Sequence, residues 1–119
     1  MIKIYDFNYD MHEARAEFCV DTEKFTPEMG KATLEFFDWE YDEEADPVDE
    51  VMKKYAIAAI SEATRNMHNT NGVIRDFEQM EGFAPVNGSV GLNLLYVVGY
   101  EFQPDKLEFS IKYPEILNP

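Results

Sequence analysis

The sequence predicts an α+β domain with elements in the order β-β-α-α-(α)-β-β. It would form a mostly antiparallel four-stranded sheet with helices packed on one face. Three observations predict it. Apolar and polar residues alternate through the first twenty-one positions, as a half-buried strand pair requires. Two capping residues followed by proline, Thr26-Pro27 and Asp46-Pro47, then open helical periodicity. Alternation returns after Gly91. With 119 residues and 45% hydrophobic content, the chain reads as one domain, residues 1–119, able to bury a core without disulfide staples.

Ile2 and Ile4, with Tyr5 and Phe7, open the first strand; Ala14, Ala16, Phe18 and Val20 form one face of the second. Asn8-Tyr9-Asp10-Met11 sits where a hairpin turn would join them. Thr26 can cap a helix whose first residue is Pro27, with Glu28 complementing its positive end. That helix is expected to reach Phe37 or Trp39 and to bury Met29, Thr33, Phe36 and Phe37.

The second helix starts at Asp46-Pro47. Val48, Val51, Met52, Tyr55, Ala56, Ala59, Ile60, Ala63 and Met67 mark its buried stripe. Asp49 with Lys53 and Glu50 with Lys54 are favourable four-apart pairs on its outer side. Asn69-Thr70-Asn71-Gly72 is expected to end it, with Gly72 left-handed. A short third helix, Val73 to Met80, precedes a loop marked by Gly82, Pro85, Asn87, Gly88 and Gly91. Leu92, Leu94, Tyr96 and Val98 alternate, while Leu95 and Val97 make the other face apolar too, as in a more central strand. Gln103-Pro104-Asp105 reads as a turn into a last strand bearing Leu107, Phe109, Ile111 and Tyr113, so a second hairpin would close the domain.

Charge is the most informative functional feature. The chain has 24 acids against 10 bases, a net charge of −14. Residues 1–50 carry 16 acids and 4 bases, so nearly all the excess lies there. Such a surface would be repelled by a nucleic-acid strand or an anionic membrane, so direct contact with either is not expected. No apolar run approaches a membrane span, the N-terminus carries no secretion pattern, and Cys19 has no second cysteine to pair with. A cytoplasmic location follows as the expectation.

Nine acids and no base lie between Glu35 and Glu50. Asp46, Asp49 and Glu50 have an ordinary explanation at a helix start. Glu35, Asp38, Glu40, Asp42, Glu43 and Glu44 do not, because they fall at the negative end of the preceding helix or crowd the loop behind it. With Trp39 and Tyr41 as exposed anchors, these six form the candidate partner-binding segment; a merely solvating loop is the plainer reading. Against a calcium loop, Asp38, Glu40, Asp42, Asp46 and Asp49 fall on ligand positions, yet Glu43 replaces the glycine of the turn and Pro47 intrudes. Weak divalent-cation binding is the stronger form of that idea. His12 and His68 lack spaced companions, and no nucleophile elbow, phosphate loop or dinucleotide motif is present. No catalytic residue, metal ligand or cofactor is therefore assigned.

The phrases Tyr9-Asp10-Met11-His12-Glu13-Ala14, Phe25-Thr26-Pro27-Glu28-Met29 and Asp46-Pro47-Val48-Asp49-Glu50-Val51-Met52-Lys53-Lys54-Tyr55 resemble a family of small bacterial and prophage-type proteins catalogued as domain of unknown function 2528. The resemblance implies a cytoplasmic, phage-associated protein with no assigned activity, and it carries no functional residues. The expected function is a small acidic, non-catalytic protein-binding module that occupies a basic, nucleic-acid-binding surface of a partner, its carboxylates standing in for phosphates. The alternatives are a small-ligand or weak cation site in the acidic loop or the Asn69–Gly91 loops, and a homo-oligomer formed through an edge strand.

Overall fold

Alternation at both ends of the chain becomes one sheet, and the helical block between them becomes the layer that covers it. The computed structural model describes residues 1–9, 14–99 and 107–114. Its elements are β1 (Ile2–Tyr9), β2 (Ala14–Asp21), α1 (Pro27–Phe37), α2 (Pro47–Asn66), α3 (Thr70–Gln79), β3 (Leu92–Val98) and β4 (Leu107–Lys112). The strands pair antiparallel throughout, in the order β3-β2-β1-β4. The α+β class and element order expected from sequence are therefore observed.

The first hairpin is longer than expected. Its register runs from Ile2 opposite Asp21 to Tyr9 opposite Ala14, so Asn8 and Tyr9 are strand and not turn. The joining residues 10–13 lie outside the described residues. The closing hairpin is not formed. β3 takes the free edge of β2 while β4 takes the free edge of β1, so the two final strands lie at opposite sides of the sheet. The turn expected at Gln103-Pro104-Asp105 falls outside the described residues. β3 is an edge strand, not a central one. Its doubly apolar sequence reflects a register shift opposite Glu17 and Phe18: Leu92 and Leu94 are buried, Leu95 and Tyr96 are exposed, and Val97 is buried again.

Helix α1 begins as expected, with the Thr26 hydroxyl accepting the Met29 N–H at 3.3 Å and Pro27 in the first position. Its buried face is different. Gly30 and Leu34 turn inward, whereas Met29 and Phe36 are exposed and Thr33 and Phe37 only half-buried. Gly30 decides the rotation: a Cβ there would stand 3.2 Å from both the Pro47 carbonyl carbon and the Val48 nitrogen. Only a bare backbone lets α1 approach the start of α2 so closely.

The α2 stripe from Val48 to Ala63 is buried as read, but Met67 is an exposed left-handed cap at φ 54°. The Asn69–Gly72 segment does not close α2; it starts α3. The Asn69 side chain accepts the Gly72 N–H at 2.9 Å, and Gly72 is helical. Asparagine favours helix starts and left-handed ends alike, so composition alone left the direction open. The buried side chains of sheet and helices form one contiguous cluster from Tyr5 to Val97.

Polar groups pin this core at one point. The inward face of β1 carries Lys3, Tyr5 and Phe7, and Lys3 is only 7% exposed. Lys3 Nζ lies 3.2 Å from Asp46 Oδ2 and 3.5 Å from Asp49 Oδ1, and the Tyr5 hydroxyl also donates to Asp49 Oδ1. Burial opposes the Lys3 charge, yet the Asp46 hydrogen bond and the Asp49 charge outweigh it and hold the pKa above 10.5. Burial first, and then Asp49, push the Tyr5 hydroxyl far up. The expected Asp49–Lys53 and Glu50–Lys54 pairs are not made: Asp49 serves β1, and Glu50 pairs with Lys53.

The other face of the sheet is open and polar. Arg15 grips Asp6 with two hydrogen bonds, 2.8 Å from Nε and 3.1 Å from Nη2. Burial alone would raise the Asp6 pKa, but the Arg15 bonds and charge, with Asn8 and Lys112, lower it below 3.8.

Two outcomes follow. Asp49→Ala leaves the Tyr5 hydroxyl and the Lys3 ammonium without their shared acceptor, and should cost about 2–3 kcal/mol in urea unfolding at neutral pH. An unchanged midpoint would remove this network from the fold. For Asp6 the folded pKa lies below the unfolded value, so its contribution is present above that value and lost as pH falls through the folded one. Asp6→Asn should cost about 2 kcal/mol at neutral pH. It should also flatten the acid-side fall in stability, measured as unfolding midpoints between about pH 7 and pH 3.

Candidate functional site

The acidic segment is built by the way α1 stops. Asp38 adopts a left-handed conformation at φ 54°, one that aspartate tolerates better than most side chains. The Asp38 N–H then donates to Glu35 O at 3.1 Å, and the Trp39 N–H to Leu34 O at 3.2 Å, closing the helix end. Asp38 is thus a structural cap as well as a charge.

Trp39 and Tyr41 are not exposed anchors. Both are half-buried against the core. The Trp39 ring stacks on Phe37 with centroids 4.2 Å apart and stands 5.9 Å from Phe83. Phe83 in turn contacts Tyr55 and Phe77, so the indole closes an aromatic cluster under the loop. Gly82 (φ +85°) brings the chain close beneath Phe36 and Phe37, where a Cβ would stand 2.5 Å from the Phe36 ring. Phe36 is the exposed aromatic of this region, at 68%.

Beyond Tyr41 the loop is held by Glu50, a carboxylate with only 6% exposure. Glu50 Oε1 accepts the Asp42 N–H at 2.9 Å, and Oε2 lies 2.7 Å from Lys53 Nζ. Asp42 then turns the chain: its Oδ1 accepts the Glu44 N–H at 2.9 Å and its carbonyl accepts the Ala45 N–H at 3.1 Å. Asp46 caps α2 through the Val48 N–H at 2.9 Å. The role of Glu50 was hidden in the sequence, where it looks like an outer-face partner for Lys54. The signal available was its position on the edge of the Val48–Val51 stripe, which brings it against the preceding loop.

All eight expected site residues, Glu35, Asp38, Trp39, Glu40, Tyr41, Asp42, Glu43 and Glu44, line one open depression of about 910 Å³, with Leu34 at its base. Asp46, Asp49 and Glu50 are not among its lining residues; they belong to the framework beneath. Glu35, Glu40, Glu43 and Glu44 are exposed, and among the described residues none of them forms an ion pair. Among the described residues no three His, Cys, Asp or Glu side chains are placed to share a cation, so the calcium-like alignment is not realised in space.

A second open depression, about 850 Å³, lies where α2 passes into α3 beside the end of β3. It is lined by His68, Asn69 and Thr70, with Tyr96 and Val98 opposite. His68 Nδ1 lies 2.7 Å from Asp76 Oδ2, a local tie from the end of α2 to the body of α3. Sequence reading reached His68 only as a histidine without spaced companions and Asn69–Thr70 only as a loop, since the His68–Asp76 pair carries no motif. Cys19 sits half-buried on the open sheet face, where burial and Asp21 push its thiol up and away from the reactive thiolate. His12 lies outside the described residues. Among the described residues no helix is long and apolar enough to cross a membrane.

No family model, curated protein or solved structure matches this chain. Its own geometry therefore carries the functional reading.

Glu50→Ala should release the loop from α2. The expected result is about 2 kcal/mol lost in urea unfolding and faster hydrogen exchange at the Asp42 amide, with α2 amides still protected. Unchanged exchange at Asp42 would show that the loop is held some other way.

Proposed function

We propose that the chain is a small, acidic, non-catalytic binding module of the cytoplasm, and that the Glu35–Glu44 depression docks on a basic, nucleic-acid-binding surface of a partner protein. The observation that carries this reading is the set of four exposed carboxylates, Glu35, Glu40, Glu43 and Glu44, gathered around one concave surface, none of them in an ion pair among the described residues. Carboxylates so placed take the role of phosphates, and long-range attraction steers the two surfaces together. A phage-associated setting is proposed on the likeness of the Tyr9–Ala14, Phe25–Met29 and Asp46–Tyr55 phrases to prophage-type proteins.

The aromatic cluster supports the same reading indirectly. Because Trp39 and Tyr41 are half-buried against the core, recognition falls to charge more than to a projecting apolar anchor. The complex should therefore be strongly dependent on salt.

The variant Glu35→Gln/Glu40→Gln/Glu43→Gln/Glu44→Gln removes four charges and none of the framework bonds. It should keep the unfolding midpoint of the parent or raise it slightly, since the four charges repel one another. In affinity capture from a bacterial lysate it should lose the proteins that the parent retains at about 50 mM salt and releases at about 300 mM. Duplex DNA should displace the same proteins from the parent. Equal recovery by parent and variant would defeat the proposal.

A further inference from the structure

The two edges of the sheet are finished differently. The free edge of β3 is covered by its own chain. Gly88 N–H donates to Leu92 O at 2.7 Å, Leu94 N–H donates to Val86 O at 2.9 Å, and Asn87 bridges Asn93. The opposite edge is β4, which pairs with β1 on one side. Among the described residues, no backbone hydrogen bond is made to its other side. An open strand edge is a template for another strand, so the contrast needs an explanation.

The layer above β4 is open as well. Helices α2 and α3 pack over β1, β2 and β3. The helix-facing row of β4 extends outward from that cover, with Phe109 at 40% exposure and Tyr113 just beyond the strand at 57%. Phe109 stacks on Phe7 at 5.4 Å, and Lys53 Nζ lies 4.9 Å from its ring centre. A cavity of about 280 Å³ opens beside it, between Phe7, Ile57 and Lys53.

We infer that this edge is the docking surface for a second copy of the chain, joined β4 to β4 antiparallel about a twofold axis through Ser110. The occupant is identified by the strand's self-complementarity. Reading outward from Ser110, this register sets Phe109 opposite the second copy's Ile111. It sets Glu108 opposite the second copy's Lys112, and Leu107 opposite its Tyr113. Every position thereby meets its chemical complement, and the twofold axis makes each charge pair occur twice. The reverse holds in a slipped register. A shift of two residues sets Ser110 against Lys112 or Glu108 and leaves the other charges without a counterpart, so the alternation favours a single alignment. Joined this way, the sheets continue as eight strands, and the exposed Phe109 and Tyr113 of both copies fill the gap between the two helical layers. This surface adjoins the acidic depression, since Glu40 lines both that depression and the cavity beside Phe109, but none of the paired β4 residues lines the depression.

The test is the oligomeric state, read by sedimentation equilibrium in about 0.3 M salt, where repulsion between two strongly acidic chains is screened. The parent should sediment at about twice its 13.8 kDa chain mass as concentration rises. Lys112→Glu replaces two attractive cross-strand pairs by two repulsive ones and should weaken the dimer about tenfold or more. Adding Glu108→Lys restores opposite charges across the axis and should bring the dimer back. As a second measurement, Ser110→Cys in a Cys19→Ser background should form an interchain disulfide on oxidation, because the two positions meet at the axis. The inference is overturned if the parent stays monomeric, if Lys112→Glu dimerises as the parent does, if the double exchange fails to restore the dimer, or if the Ser110→Cys chains do not cross-link.

Discussion

The first turn of α2 holds this molecule together. Three acids sit there, and together they reach the helix's own start, strand β1 and the acidic loop. Asp46 caps the helix and accepts from Lys3. Asp49 takes the Tyr5 hydroxyl and the other side of Lys3, and Glu50 holds the Asp42 amide. Beside them Gly30 lets α1 come within contact of Pro47 and Val48. Strand β1, helix α1 and the acidic loop are therefore all positioned against a single helical turn. A helix N-terminus suits this task, because its dipole stabilises the three carboxylates while Asp49, Glu50 and the second oxygen of Asp46 bond beyond the helix's own backbone.

This turn also explains which parts of the structure were legible in the sequence. Caps, proline starts and the Val48–Ala63 stripe depend on neighbours within the same helix, so periodicity finds them. The inward face of α1 depends on something else. Phe36 and Met29 look like core residues at helical spacing, yet the close contact at Gly30 rotates them outward. Backbone proximity outweighs side-chain hydrophobicity there, and a glycine inside a helix was the available sign. Likewise Leu95 and Val97 suggested a strand buried on both faces. A bulge that shifts the phase by one residue produces the same letters on an edge strand.

The path of the last strands was not legible, for a topological reason. A β1–β2 pair has two free edges, and local pattern does not say which edge a later strand will take. Sequence adjacency favours a hairpin between β3 and β4, but each instead completes a different side. The consequence reaches beyond topology. β3 arrives directly from a loop that can fold over its outer edge, and residues 86–88 do so. β4 arrives at the far side, past the helical layer, so both its edge and its apolar row extend outward from the helical cover.

The acidic segment can now be divided by cause. Of the nine acids from Glu35 to Glu50, Asp46, Asp49 and Glu50 build the α2 start, Asp38 closes α1, and Asp42 makes the turn between them. Glu35, Glu40, Glu43 and Glu44 remain, and among the described residues no ion pair or side-chain hydrogen bond needs their carboxylates. Their mutual repulsion would be relieved in a free loop, which could spread. Here it is retained: Glu35 is fixed in α1, the Asp38 cap and the Glu50–Asp42 bond hold the backbone around Glu40, and the Asp42 turn holds Glu43 and Glu44. A fixed array of like charges costs the isolated protein some stability, but it loses little further freedom when a cationic surface arrives. That asymmetry is what a recognition surface requires, and a loop whose acids only aid solubility has no use for it. The framework under the loop is therefore a stronger argument for binding than the number of charges on it.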